Sequence, residues 1–114
     1  MEVMLYYGNE IGQWSSVLNY GVCTMVRGIE ACFELAEMCD GIDECFESCH
    51  RDYSENAEYY KCFIVALNNL LWKHYNKKRM VLAKKYDELW KKADRYAMNH
   101  FKGTDLQKIL SFID

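Results

Sequence analysis

The stretch Tyr60-Lys61-Cys62-Phe63-Ile64-Val65-Ala66-Leu67-Asn68-Asn69-Leu70-Leu71-Trp72-Lys73-His74-Tyr75 decides the fold. Within it Tyr60, Phe63, Ile64, Leu67, Leu70, Leu71 and His74 recur at three- and four-residue spacing, which is the pattern of an amphipathic helix. Its densest apolar run, Cys62 to Leu67, is cut by Asn68 and Asn69. That is far short of the ~20 consecutive apolar residues a membrane span requires. The chain has no proline, and its six glycines stand at positions 8, 12, 21, 28, 41 and 103. Residues 42–102 therefore lack both of the strongest helix breakers, and helix is expected over sheet.

Downstream, a heptad pattern continues the helix. Trp72, Tyr86, Ala93 and His100 occupy one heptad position, interrupted by Arg79, and Tyr75, Leu82, Leu89 and Tyr96 occupy the other. The lysine pairs 77–78, 84–85 and 91–92 repeat on an outer face, so one stripe is expected to be buried and the other solvated. At 100° per residue the stripes on either side of Asn76 nearly coincide, and residues 55–101 could form one extended helix of about 70 Å. Helices in globular domains average only ~11–12 residues, and four polar residues, Asn76 to Arg79, interrupt the stripe. The expectation is a turn there and a long antiparallel hairpin. The alternative is the single rod, its stripe completed by dimerisation; the bundle too could form a homodimer through the 72–100 stripe.

Upstream, Ser15 or Ser16 can cap a helix running to about Cys39 and ended by Asp40-Gly41, with Gly41 in the left-handed conformation. Gly21 and Gly28, with Thr24 and Ala31 alongside, predict a close helix crossing. Val3 to Tyr7 reads as an irregular lead-in. A helix from Ile42 to about Arg51 follows, with Asp52 and Ser54 as caps for the next one. Gly103 is expected to close the long helical region, and Thr104 with Gln107 to form a capping box ahead of Leu106, Ile109, Leu110 and Ile113. The whole predicts an all-α bundle of four to five helices, one domain over residues 1–114.

Composition bounds the class. With 51% hydrophobic and 15% aromatic residues the chain carries enough apolar mass to fold, which excludes intrinsic disorder. No basic segment precedes the apolar start MEVMLYY, so no export signal is read, and a cytoplasmic, reducing compartment with free thiols is expected. Charge is lopsided beneath a net −3. Residues 1–60 carry twelve acidic side chains against two basic, and residues 61–114 carry twelve basic against five acidic.

Each chemical constellation has a plainer reading. Cys45 and Cys49 lie one helical turn apart with His50 adjacent, and soft ligands at that spacing could share zinc or copper. No second ligand pair at zinc spacing exists, so neither a metal nor any other cofactor is expected, and Cys23, Cys32, Cys39 and Cys62 fit core positions. Side chains of neighbouring Cys49 and His50 point about 100° apart on a helix, wrong for a thiolate–imidazole pair. His74 and His100 lie on apolar stripes. No paired carboxylates, phosphate loop or hydrolase motif stands out, and no enzyme is expected.

Two charged surfaces remain. Glu30, Glu34, Glu37, Asp40, Asp43, Glu44 and Glu47 form an acidic face that could occupy a partner's basic groove, as small phage or plasmid inhibitors do. Its plainer reading is that the acidic half faces the basic half. Lys77, Lys78, Lys84, Lys85, Lys91, Lys92 and Arg95, with Lys73 and Trp90 nearby, form a cationic strip that could touch nucleic acid. The function expected is that of a non-enzymatic interaction protein, a regulator or inhibitor docking on a protein or a nucleic-acid-handling complex through the acidic face. Thiol metal binding and nucleic-acid binding are the alternatives.

Overall fold

A computed structural model describes the backbone of residues 16–113 and the side chains of residues 24–110. Its described residues form helices α1 (Ser16–Met38), α2 (Ile42–Tyr53), α3 (Ala57–Asn76), α4 (Met80–His100) and α5 (Gly103–Ile113), with no strand among them. The architecture is the all-α bundle the periodicity predicts. The lead-in at Val3 to Tyr7 and the Ser15 cap lie outside the described residues.

The bundle is organised around α3. Cys62 to Leu67 are six consecutive buried residues, and Tyr60, Leu70 and His74 are buried as well. A helix buried on every side needs neighbours on every side. Here α1, α2, α4 and α5 all pack on it. Phe63 sits at the centre of the resulting ring cluster, its centroid 6.4 Å from Phe33, 5.2 Å from Phe46 and 5.3 Å from Tyr60. The α4 stripe, Tyr86, Leu89, Ala93 and Ala97, is buried within the same chain. The α4 part of the 72–100 stripe is therefore covered within the chain, whereas Trp72 and Tyr75 at its start are exposed.

Cross-helix contacts fix the directions. Glu30 meets Asn69, Glu34 meets Lys73 and Glu37 meets His74, so α1 and α3 run parallel. Asp43 meets Lys85, Glu47 meets Lys92, and the Ser54 carbonyl accepts from the Tyr96 hydroxyl, so α2 and α4 run parallel to each other. The α1–α2 and α3–α4 turns consequently share one end of the bundle, called apical here. The α2–α3 and α4–α5 turns share the basal end.

The two apical turns are built alike. Asp40 (φ 58°) and Lys78 (φ 61°) hold the left-handed conformation, and the N–H two positions past each helix's capping residue reaches back to a carbonyl in the last turn. Gly41 N donates to Ala36 O at 2.8 Å, and Arg79 N to His74 O at 2.9 Å. These are Schellman closures without glycine at the left-handed position. The stop at Gly41 is thus correctly placed but made by Asp40, whose short polar side chain tolerates positive φ. The 76–79 turn is present, and the single 55–101 rod is not.

Other boundaries moved. The α2 helix continues to Tyr53, and neither Asp52 nor Ser54 caps α3. Asn56 does, accepting from the N–H groups of Glu58 (3.0 Å) and Tyr59 (3.1 Å). Gly103 is left-handed (φ 59°) but opens α5 instead of closing α4, so Thr104 lies inside the helix and not at its cap. Gly28 marks no crossing. A Cβ there would meet nothing within 4 Å, and Thr24 and Ala31 are exposed.

Candidate interaction surface

The acidic candidates divide by what they touch. Glu30 accepts from the Asn69 amide at 2.8 Å, and its burial pushes its carboxyl above the usual carboxylate range against the lowering effect of that bond. Glu34 pairs with Lys73, Asp43 with Lys85 at 2.6 Å, and Glu47 with Lys92 at 3.3 Å. Lys92 also lies 5.1 Å from the Phe46 ring centroid. Asp40 and Glu44 are exposed and make no ion pair among the described residues. The acidic half therefore meets the basic half within the fold. Exposed pairs of this kind are worth only ~0–1 kcal/mol each, so they set helix register more than they set stability.

Glu37 is different, because its partners are buried. His74 is 1% exposed and donates from Nε2 to Glu37 Oε2 at 3.0 Å, while the Tyr86 hydroxyl donates to the same oxygen at 2.5 Å. Arg79 Nη1 lies 3.5 Å from His74 Nδ1, and the His74 and Tyr86 rings stack at 5.6 Å. Burial, then the bond to Glu37, raises the Tyr86 hydroxyl's pKa. One carboxylate thereby ties α1 to α3 and α4 just below the apical end, satisfying polar groups that would be costly to bury alone.

The cationic strip is likewise split. Lys85 and Lys92 are turned to α2, and Lys91 pairs with Asp87 on its own helix at 2.9 Å. Lys77, Lys78, Lys84 and Arg95 are exposed and make no ion pair among the described residues. Trp90 is half-buried against the core with its indole Nε1 enclosed, so it does not stand beside the strip as a stacking platform.

The cysteines occupy unlike environments. Cys62 is buried, Cys45 and Cys49 are half-buried, and Cys32 and Cys39 are exposed, contrary to the core positions expected for the last two. A hydrogen bond from the Cys49 thiol lowers the Cys45 pKa, and the same bond raises that of Cys49. His50 faces away from both. It bonds the Tyr60 hydroxyl through Nδ1 at 2.8 Å and lies 4.6 Å from the Tyr96 ring. Among the described residues no group of three or more His, Cys, Asp or Glu is placed to hold a metal. No described helix is long and apolar enough to cross a membrane.

Sequence reasoning missed a further surface. Among the described residues seven large hydrophobic side chains are exposed, and six of them, Leu35, Met38, Trp72, Tyr75, Met80 and Val81, belong to the apical ends of α1, α3 and α4. Val81 is 85% exposed and Met38 83%. Trp72 and Tyr75 contact each other edge to face at 5.4 Å. Their heptad spacing assigned them to the buried stripe, and only the length of the covering helix decides otherwise. The available signal was the close mixing of apolar Trp72, Tyr75, Met80 and Val81 with basic Lys73, Lys77, Lys78 and Arg79. The chain matches no protein-family model, no curated protein and no solved structure.

Proposed function

We propose that this chain is a non-enzymatic helical interaction protein that docks through the apical end of its bundle on a protein surface offering apolar pockets flanked by charge. The observation that carries this reading is the gathering of six large apolar side chains, left in water, at one end. Scattered apolar residues on a surface are ordinary, whereas several together mark a contact site. The acidic face is the weaker candidate, because Glu30, Glu34, Glu37, Asp43 and Glu47 already have partners inside the fold. An outside partner would have to displace those contacts.

The reading is tested by comparing capture of binding partners by two double variants, each checked for helicity by circular dichroism. Val81→Asp with Met38→Asp should lose capture, and Glu34→Lys with Glu47→Lys should keep it. The opposite pattern would restore the acidic face as the site. Steeply salt-dependent binding of a single-stranded oligonucleotide, lost in Lys77→Glu with Lys78→Glu, would overturn the reading in favour of nucleic acid, because phosphate neutralisation releases counterions.

A further inference from the structure

We infer that the apical end is self-complementary and that its partner is a second copy of this chain, docked end to end about a two-fold axis. This rests on the proposed contact role of that end. The α1–α2 turn carries Asp40 and Glu44, and the α3–α4 turn carries Lys77 and Lys78 with Lys84 one turn beyond. All five are exposed and make no ion pair among the described residues. Acidic and basic turns thus lie side by side at one end, contributed by different helix pairs. A two-fold axis across that end, perpendicular to the helices, lays the basic turn of each copy over the acidic turn of the other. Isologous contacts of this kind require such self-complementarity. Met38, Met80 and Val81, exposed at the same end, would add apolar area to the contact.

Charge argues for this occupant. An extended polyanion or an anionic membrane approaching Lys77 and Lys78 would also meet Asp40 and Glu44, and like-charge contact is costly. A second copy presents the opposite sign at each turn. Size argues for a weak contact. The bundle measures 36 × 29 × 19 Å, and its longest helix, of 23 residues, spans about 34 Å at ~1.5 Å per residue, a match to the longest dimension. An end face then covers on the order of 500 Å² per copy, below the ~800 Å² of a standard interface, which fits a reversible dimer and not an obligate one.

Sedimentation velocity of the full chain over a wide concentration range tests the inference. The wild-type chain should pass reversibly from monomer to dimer, less readily at high salt. Val81→Asp should weaken association by about tenfold or more, because it places an unpaired charge in the apolar part of the contact. Lys77→Glu with Lys78→Glu and, separately, Asp40→Lys with Glu44→Lys should each be monomeric. Mixing these two variants should restore a dimer, since both contacts then join opposite signs. Lysine is compatible with the backbone at position 40, because Lys78 holds the same left-handed conformation in the sister turn. Circular dichroism establishes that each variant is folded. A wild type monomeric throughout, a dimer indifferent to either charge reversal, or a mixture that fails to associate would each overturn the inference. A monomeric wild type whose partner capture is still lost in Val81→Asp with Met38→Asp would leave the broader reading standing.

Discussion

The two ends of the bundle are made from similar residues and treated oppositely. At the basal end His50, Tyr60, Tyr96, His100 and Phe101 form a continuous ring cluster, with Tyr60 5.2 Å from Tyr96 and 5.8 Å from Phe101. At the apical end Trp72 and Tyr75, on the same α3 helix as Tyr60, stand half in water beside Met80 and Val81. The difference is one of reach. The α5 helix packs on α3 starting from the basal end but has 11 residues against the 20 of α3. At ~1.5 Å per residue it spans about 16 Å of a 30 Å partner. It ends before the last turns of α3, and the heptad stripe runs past its cover. Periodicity tells which face is apolar, and only the neighbour's length tells how much of that face is buried.

The contrast is broken or sharpened most strongly by truncating one aromatic from each region. Phe63→Ala should cost about 3–5 kcal/mol, because it empties a site enclosed by Phe33, Phe46 and Tyr60. Trp72→Ala should cost below about 1 kcal/mol, since half of that side chain is already in water. Chemical denaturation that returned equal losses would erase the distinction between the ends. Within α4 the same comparison can be made between Leu89→Ala, expected to cost about 2–5 kcal/mol, and Lys91→Ala, expected to cost about half a kcal/mol or less.

A smaller effect tests the tie beneath the apical turns. Glu37→Ala leaves His74 and Tyr86 buried without their acceptor and should lower stability by about 1–3 kcal/mol, whereas Tyr86→Phe removes one donor and should lower it by about 1 kcal/mol. Similar small losses would mean that water reaches the site. The smallest effect is at Glu30, whose pKa is raised by burial. A carboxyl with a raised folded-state pKa binds its proton more tightly when folded, so it weakens the fold once pH rises above the ordinary carboxylate range. Glu30→Gln, which can still accept from Asn69, should therefore be neutral or slightly stabilising at neutral pH. That gain should fade as pH falls and both carboxyl forms become protonated. A stability loss at neutral pH, measured by thermal midpoint, would contradict this assignment.

Much of the fold was legible in the sequence. The absence of proline, the glycine-free span 42–102 and the spacing of Tyr60 to His74 were enough for the bundle, and the polar run Asn76 to Arg79 for the hairpin turn. The means of closure was not legible. Asp40 and Lys78 take left-handed backbones that single-residue preference assigns to glycine, and their selection depends on the tertiary position of the chain. The acidic face was legible as a cluster, and its facing the basic half as the plainer reading, but the individual pairs were not. Glu30, Glu34 and Glu37 meet Asn69, Lys73 and His74 in that order, and only the parallel packing of α1 on α3 brings the two series together. The apical surface escaped because each of its residues is individually a plausible core residue.

Hydroxyl-radical footprinting, read residue by residue across a protein concentration series, tests the contact role of the apical end most directly. In dilute solution Met38, Trp72, Tyr75 and Met80 should be oxidised fastest, and Tyr60, Phe63 and Tyr86 slowly. As concentration rises the apical residues should become protected while the slow set stays unchanged. Equal rates at the two ends in dilute solution, or apical rates that do not respond to concentration, would contradict the account.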